Sequence, residues 1–216
     1  MTWLFFLFFT AAEALPPVVF PGDAKIEISP NGPPAVNDLD LFASDPDNVS
    51  NELDWIMPPV HRSEIGIDQD RIMSVSAPDE FVGYEEVVLT VVDPGGQSDN
   101  LKLRIYSSDG RPVTGGMPDF ILDRGEIDQS LDLDEYYHDA NNSDEEIFWE
   151  VLPSFDTNNL QVAIDPVTHV ATFAAQENAS FGTEPVIFRV TSPEGQSDQD
   201  TVLVTIRSGG GQVGGS

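Results

Sequence analysis

The chain has 216 residues, no cysteine, and a formal charge of −29 from 38 acidic against 9 basic side chains. Without cysteine there are no disulfides and no thiolate metal sites, so stability must come from packing and from any oxygen-ligated ions. A surface this acidic repels polyanionic backbones and anionic headgroups, which argues against nucleic acid and against membrane insertion.

Residues 1–15 hold the apolar run Trp3–Phe9 and a small-x-small triplet, Ala12-Glu13-Ala14. The run is too short to span a bilayer and lacks the basic flank of a secretory signal. It is read as a signal-peptide-like or incidental segment and set apart from the fold.

Pro16–Phe20 opens a first unit, 16–107, and Lys25–Ser29 alternates as a half-buried strand does. Pro30–Asn37, with three prolines and a glycine, reads as a loop insertion. Asp38–Trp55 follows, DLDLFASDPDNVSNELDW. It returns as Asp132–Trp149, DLDEYYHDANNSDEEIFW, with Asp38, Leu39, Asp40, Asp45, Asn48 and Trp55 all matched at one constant offset. Short strands are expected at Leu53–Met57, Ile65–Asp68 and Ile72–Ser76. Two more, Val87–Val92 and Leu101–Ile105, are joined by the turn DPGGQSD at Asp93–Asp99. In the last, Leu101, Leu103 and Ile105 alternate with Lys102 and Arg104. About seven such strands with turn signals every 8–12 residues is the pattern of an immunoglobulin-like sandwich.

Residues 108–118 are rich in Gly, Pro and Ser and read as a linker. A second unit, 119–207, repeats the first, down to the turn SPEGQSD at Ser192–Asp198 and the alternating Val202, Val204 and Ile206. Residues 208–216 form a glycine-rich tail, like the start of another linker. The expectation is all-β, two tandem antiparallel sandwiches.

Trp55 and Trp149 are expected in the core. Asp45, Asp47 and Asn48 in the first unit, and Asp139 and Asn141 in the second, put oxygen groups in the loop after the second strand. Asp93 and Asp99, and Asp198, lie in the turn before the last strand. In a sandwich these two loops share one end, so the carboxylates face one another. They are candidate calcium ligands, because calcium accepts six to eight oxygens in loose geometry. The plainer account is a solvated turn whose Asp and Asn side chains cap their own backbone. The second unit has Ser192 where the first has Asp93, so its site is expected to be weaker. His61, His138 and His169 show no ligand spacing and read as surface or half-buried groups. No nucleophile elbow or zinc-protease motif is present, so no catalysis is expected.

The order of signals is DLxxxxxDxDN, a Leu/Ile-x-Trp strand, I-x-I-D, a corner glycine, and DPGGQSD before an alternating strand. It resembles bacterial cadherin-like and immunoglobulin-like tandem repeats of secreted or surface proteins. That resemblance implies an extracellular or cell-surface repeat serving in adhesion or as a spacer, with calcium near domain ends. It also implies neighbouring repeats, surface proteins or glycans as partners. Between the units SSDGRPVTGGMP stands where animal cadherins carry DxNDN, which moves any calcium to a domain's own loop end. The competing reading is an accessory carbohydrate-binding module, with Tyr136 or Tyr137 as an exposed aromatic.

Overall fold

The structure is a computed structural model that describes residues 14–59 and 62–208. The N-terminal segment up to residue 13, His61 and the tail from residue 209 lie outside the described residues.

Two β-sandwiches follow one another. The first is built from β1 (Val18–Val19), β2 (Asp23–Ile28), β3 (Ala35–Asp38), β4 (Ala43–Ser44), β5 (Asp54–Ile56), β6 (Glu64–Ile67), β7 (Ile72–Ser76), β8 (Gly83–Val92) and β9 (Ser98–Ser107). Its sheets run β2-β9-β8-β5 and β3-β7-β6, with a ribbon β1-β4 at one end. The second repeats this as β10 (Val113–Thr114), β11 (Phe120–Asp123), β12 (Ile127–Asp132), β13 (Tyr137–His138), β14 (Phe148–Leu152), β15 (Leu160–Ile164), β16 (Val170–Ala175), β17 (Gly182–Thr191) and β18 (Ser197–Arg207). Its sheets are β11-β18-β17-β14 and β12-β16-β15, with the ribbon β10-β13. The first sheet strand runs parallel to the last in each sandwich, β2 with β9 and β11 with β18.

The alternation seen in the sequence is the cause of this arrangement. Val202, Val204 and Ile206 point inward from β18, while Thr201, Leu203 and Arg207 point outward. One core gathers Leu39, Met73, Val75, Leu89, Leu101 and Leu103. The other gathers Leu133, Phe173, Phe188, Val190, Val202 and Val204. Each such buried side chain contributes about 1.5–3 kcal/mol. The recurring Asp-Leu-Asp also has a local reason. Asp38 and Asp132 cap one-turn 3-10 helices, accepting from the Asp40 and Asp134 N–H groups at 3.0 and 3.1 Å, while Leu39 and Leu133 plug the cores.

Two expectations change. Pro30–Asn37 is not an insertion. It leads through a bridge of Pro30 with Ala77 into β3, whose Asp38 pairs Ile72 just as Asp132 pairs Val170. The prolines shorten the ladder because they lack a donor, so the shared strand is hidden in one copy. The segment expected as a linker also carries structure. Val113 and Thr114 are buried and pair His138 and Tyr137 in β10-β13.

Trp149 lies in its core at 5% exposure and meets Tyr137 edge-on, with ring centroids 5.7 Å apart. Trp55 is only half-buried, because Ala43 stands where the second copy has Tyr137.

Candidate functional site

The acidic loops lie at the ribbon end of each sandwich, beside the turns that precede β9 and β18. In the first copy Asp45 Oδ1 accepts from the Asp47 and Asn48 N–H groups, both at 2.8 Å. Asp47 accepts from Leu15 N–H at 2.7 Å. Asp93 Oδ1 accepts from Gln97 N–H at 2.8 Å, and Asp99 Oδ2 ties down Val19 N–H of β1. The loops therefore cap their own backbone, as the plainer account expected. That leaves one oxygen each on Asp45 and Asp93, the two Oδ2 atoms, buried without a hydrogen-bond partner. Asp93 is itself 5% exposed. A buried acceptor without a donor is a costly arrangement in water-free surroundings.

In the second copy the counterpart of Asp45 finds partners for both its oxygens within its own loop. Asp139 Oδ1 accepts from Asn141 and Asn142 N–H, and its Oδ2 accepts from Asn142 Nδ2 at 3.2 Å. The same Nδ2 donates to Glu194 at 3.1 Å, which joins the acidic loop to the turn before β18. Glu194 is held below the usual carboxylate range by its own backbone N–H and by Asn142. Asp198 Oδ2 fastens Thr114 N–H of β10 at 2.9 Å, the counterpart of Asp99 with Val19. The structure thus brings the two predicted loops together in the second copy through Glu194, a residue the sequence reading did not single out. Among the described residues no three acidic or imidazole side chains converge as a metal cluster.

The second acidic loop also faces the first sandwich. Lys25 of β2 donates to the Asp134 carbonyl at 3.0 Å, pairs Glu27 at 2.9 Å, and lies over the rings of Tyr106 and Tyr137. Arg104 of β9 donates to the Glu135 carbonyl at 2.6 Å, covers the Tyr136 ring at 4.6 Å, and pairs Asp23 at 3.0 Å. These carbonyls belong to the 3-10 turn Leu133–Tyr136. The late carbonyls of a helical turn lack internal partners and sit at its negative end, so a cation fits there. Tyr106 donates to the Gly115 carbonyl at 2.8 Å, and Ser108 Oγ accepts from Ala140 N–H at 3.1 Å. The Tyr84 side chain packs against Gly115 and Gly116. A Cβ on Gly115 would come within 2.6 Å of the Tyr84 ring, and Gly116 has φ +77°, a conformation glycine adopts at little cost. A polar cavity of about 270 Å³ remains between Lys25, Glu27, His138, Asp139 and Asp144. Burial keeps the His138 imidazole below its ordinary pKa, with Glu27 3.8 Å away.

Two readings of single residues change here. Tyr137 is in the core and Tyr136 lies under Arg104, so neither forms an open platform for a sugar. His169 is buried, with Nδ1 2.8 Å from Asp134. It stands where Arg71 grips Asp40 with two hydrogen bonds of 2.6 and 2.8 Å, and both residues take positive φ. Arg71 holds the Asp40 carboxyl below its usual range, whereas burial raises that of Asp134 against the opposing pull of His169.

No protein-family model matches the chain, and no curated protein matches it. Among solved structures it is similar to an endo-fucoidan hydrolase from glycoside hydrolase family 107, at 13% identity and a TM-score of 0.36, over 94% of this chain and 30% of that one. It is also similar to the extracellular cadherin domains 1–4 of protocadherin gamma B7, at 18% identity and a TM-score of 0.33, over 90% of this chain and 51% of that one. The human desmocollin-1 ectodomain gives 15% identity and a TM-score of 0.35, over 90% of this chain and 42% of that one. The chain therefore spans about a third to a half of the length of these structures. No helix among the described residues is long and apolar enough to cross a membrane.

Proposed function

We propose that this chain is an extracellular, non-catalytic tandem β-sandwich unit that acts in adhesion or as a spacer. The observation that carries the reading is the junction. Lys25, Arg104, Tyr84 and Tyr106 of the first sandwich clasp the second through its backbone carbonyls and its paired glycines. A unit that transmits position between distant partners needs such a fixed joint, whereas catalysis does not.

The positive charge beside the second acidic loop is a lysine, so that joint holds without a metal ion. Calcium enters this reading only at the first loop end, where one oxygen each of Asp45 and Asp93 is buried without a donor, the kind of group a hard cation takes. Asp47 and backbone carbonyls or water would complete the oxygen set.

Residual dipolar couplings on the whole chain test the joint. The expected result is one interdomain alignment, unchanged between excess EDTA and millimolar calcium. Independent tumbling of the two sandwiches in either buffer overturns the reading. Binding to soluble polysaccharides in the same buffers separates it from a carbohydrate-binding module, for which retention is expected.

A further inference from the structure

We propose that a second copy of this chain docks its β1-β4 apex on the outer face of β11-β18-β17, repeating between chains the joint that connects the two sandwiches within one chain.

The internal joint sets large groups on the face against small groups on the apex. The face of the first sandwich presents Tyr84, Tyr106 and Arg104, and both Arg104 and Tyr106 are buried by the apex laid on them. That apex presents Gly115 and Gly116, which leave room for the Tyr84 ring.

The sheet register fixes the counterparts. Tyr84 pairs Tyr106 in β8-β9, and Thr183 pairs Thr205 in β17-β18. Glu27 lies beside Tyr106 in β2-β9, and Ile121 lies beside Thr205 in β11-β18. Leu203, one step back along β18, occupies the place of Arg104. At the other end Phe20 donates its N–H to Phe42 as Gly115 does to Tyr136, so Phe20 takes the place of Gly115.

At three positions the sizes are exchanged: Tyr84 and Tyr106 of the inner face give way to Thr183 and Thr205 on the open one, and Gly115 of the inner apex gives way to Phe20 on the open one. The open face is apolar at its centre, with Thr183, Thr205, Ile121 at 60% exposure and Leu203 at 43%, and is edged by the Arg207–Asp123 ion pair. The open apex is large and apolar, with Phe20 at 58% and Leu41 at 71% exposure. Phenylalanine and leucine at the apex fill the space that threonine leaves on the face, as tyrosine on the face fills the space left by glycine inside the chain. Bulk lost from the face is returned at the apex, the kind of paired exchange that packing tolerates best. Lys25 and Arg104 have no counterpart, because Asp119 and Leu203 stand there, so this contact is apolar where the internal one is polar. The contact is heterologous, which leaves one apex and one face free at the ends of any assembly and lets it grow. A net charge of −29 opposes that growth until salt screens it.

Sedimentation velocity of the full chain tests this. The expected wild-type result is a sedimentation coefficient that climbs with protein concentration, more steeply at high sodium chloride. Leu203→Asp blocks the face and Leu41→Asp blocks the apex, and each alone is expected to weaken association by on the order of 30-fold or more. Both sites are exposed, and far-ultraviolet circular dichroism confirms that each variant is folded. An equimolar mixture keeps one good face and one good apex, so it is expected to form one-to-one pairs that grow no further. A monomer at every concentration and salt overturns the proposal. So does association that survives both substitutions, which would place it on another surface such as the N-terminal apolar segment. A mixture that fails to pair also overturns it.

Discussion

Arg104→Met is the most direct test of the joint. Methionine keeps most of the aliphatic stem and removes every donor. A hydrogen bond from a charged donor contributes about 1.5–3 kcal/mol, here to the Glu135 carbonyl at 2.6 Å. The guanidinium over the Tyr136 ring adds about 0.5–2 kcal/mol, and the pair with the half-exposed Asp23 adds about 0–1 kcal/mol. These groups are neighbours and do not add fully, so the expected loss is about 2–4 kcal/mol of coupling between the sandwiches. For a domain of this size, 1 kcal/mol moves the melting temperature by about 4–8 °C. Differential scanning calorimetry should therefore show the less stable sandwich melting roughly 8 °C or more earlier in the variant. Amide exchange at Gly115 should accelerate with it. A variant that melts within a degree or two of wild type, with the same interdomain dipolar couplings, refutes the assignment of the joint to Arg104.

Millimolar calcium should raise the melting temperature of the first sandwich, because an ion that binds only the native state stabilises it by about 2.7 kcal/mol at a hundredfold excess over its dissociation constant. Asp93→Asn should abolish that rise and Ser192→Asn should leave it intact; coincident melting in EDTA and in calcium ends the calcium reading. Gly116→Ala should destabilise by roughly 1–3 kcal/mol, from left-handed strain and from collision with Tyr84. In a Tyr84→Ala background only the strain should remain, and an unchanged penalty there would show that the ring contact is unimportant. Burial favours the neutral form of His138, so its folded pKa lies below its unfolded one. Its contribution is then complete above the unfolded value near 6.5 and is lost as pH falls through the folded value. Melting curves between pH 7 and 5 should slope downward with acidification, less steeply in His138→Gln, and parallel curves would remove His138 from the account.

The strands and both cores were legible because alternation such as Leu101, Leu103, Ile105 is dictated by the two-residue period of a strand. The repeat marked Asp38 and Asp132 as matched positions, and the structure supplies their role as caps. What stayed hidden depended on contacts distant in sequence. Gly115 and Gly116 read as linker glycines because the Tyr84 ring that demands them comes from another strand. Arg104 read as the solvent side of an alternating strand, and only the second sandwich laid over it makes that side interior. Proline in Pro30–Asn37 masked β3, since strand propensity is weak evidence beside a missing donor. The loop residues Asp45, Asp93 and Asp139 were singled out by pattern. Their different fates turned on Glu194, which stands where the first copy has Gly95, and which no pattern in one loop could have flagged.

The parallel pairing of the first sheet strand with the last has a mechanical meaning. Once the short β1 or β10 ribbon has parted, tension applied along the chain enters a sandwich at the start of β2 or β11 and leaves at the end of β9 or β18. Because those strands are parallel neighbours, the pull slides one along the other and loads their cross-links together instead of unzipping them singly. The first sandwich shares the load over six registered residue pairs, Asp23 with Lys102 through Ile28 with Ser107. The second shares it over four, Phe120 with Val204 through Asp123 with Arg207. A stretched molecule should therefore give way in a fixed order, the second sandwich before the first, and single-molecule pulling would register that sequence as two unequal force peaks.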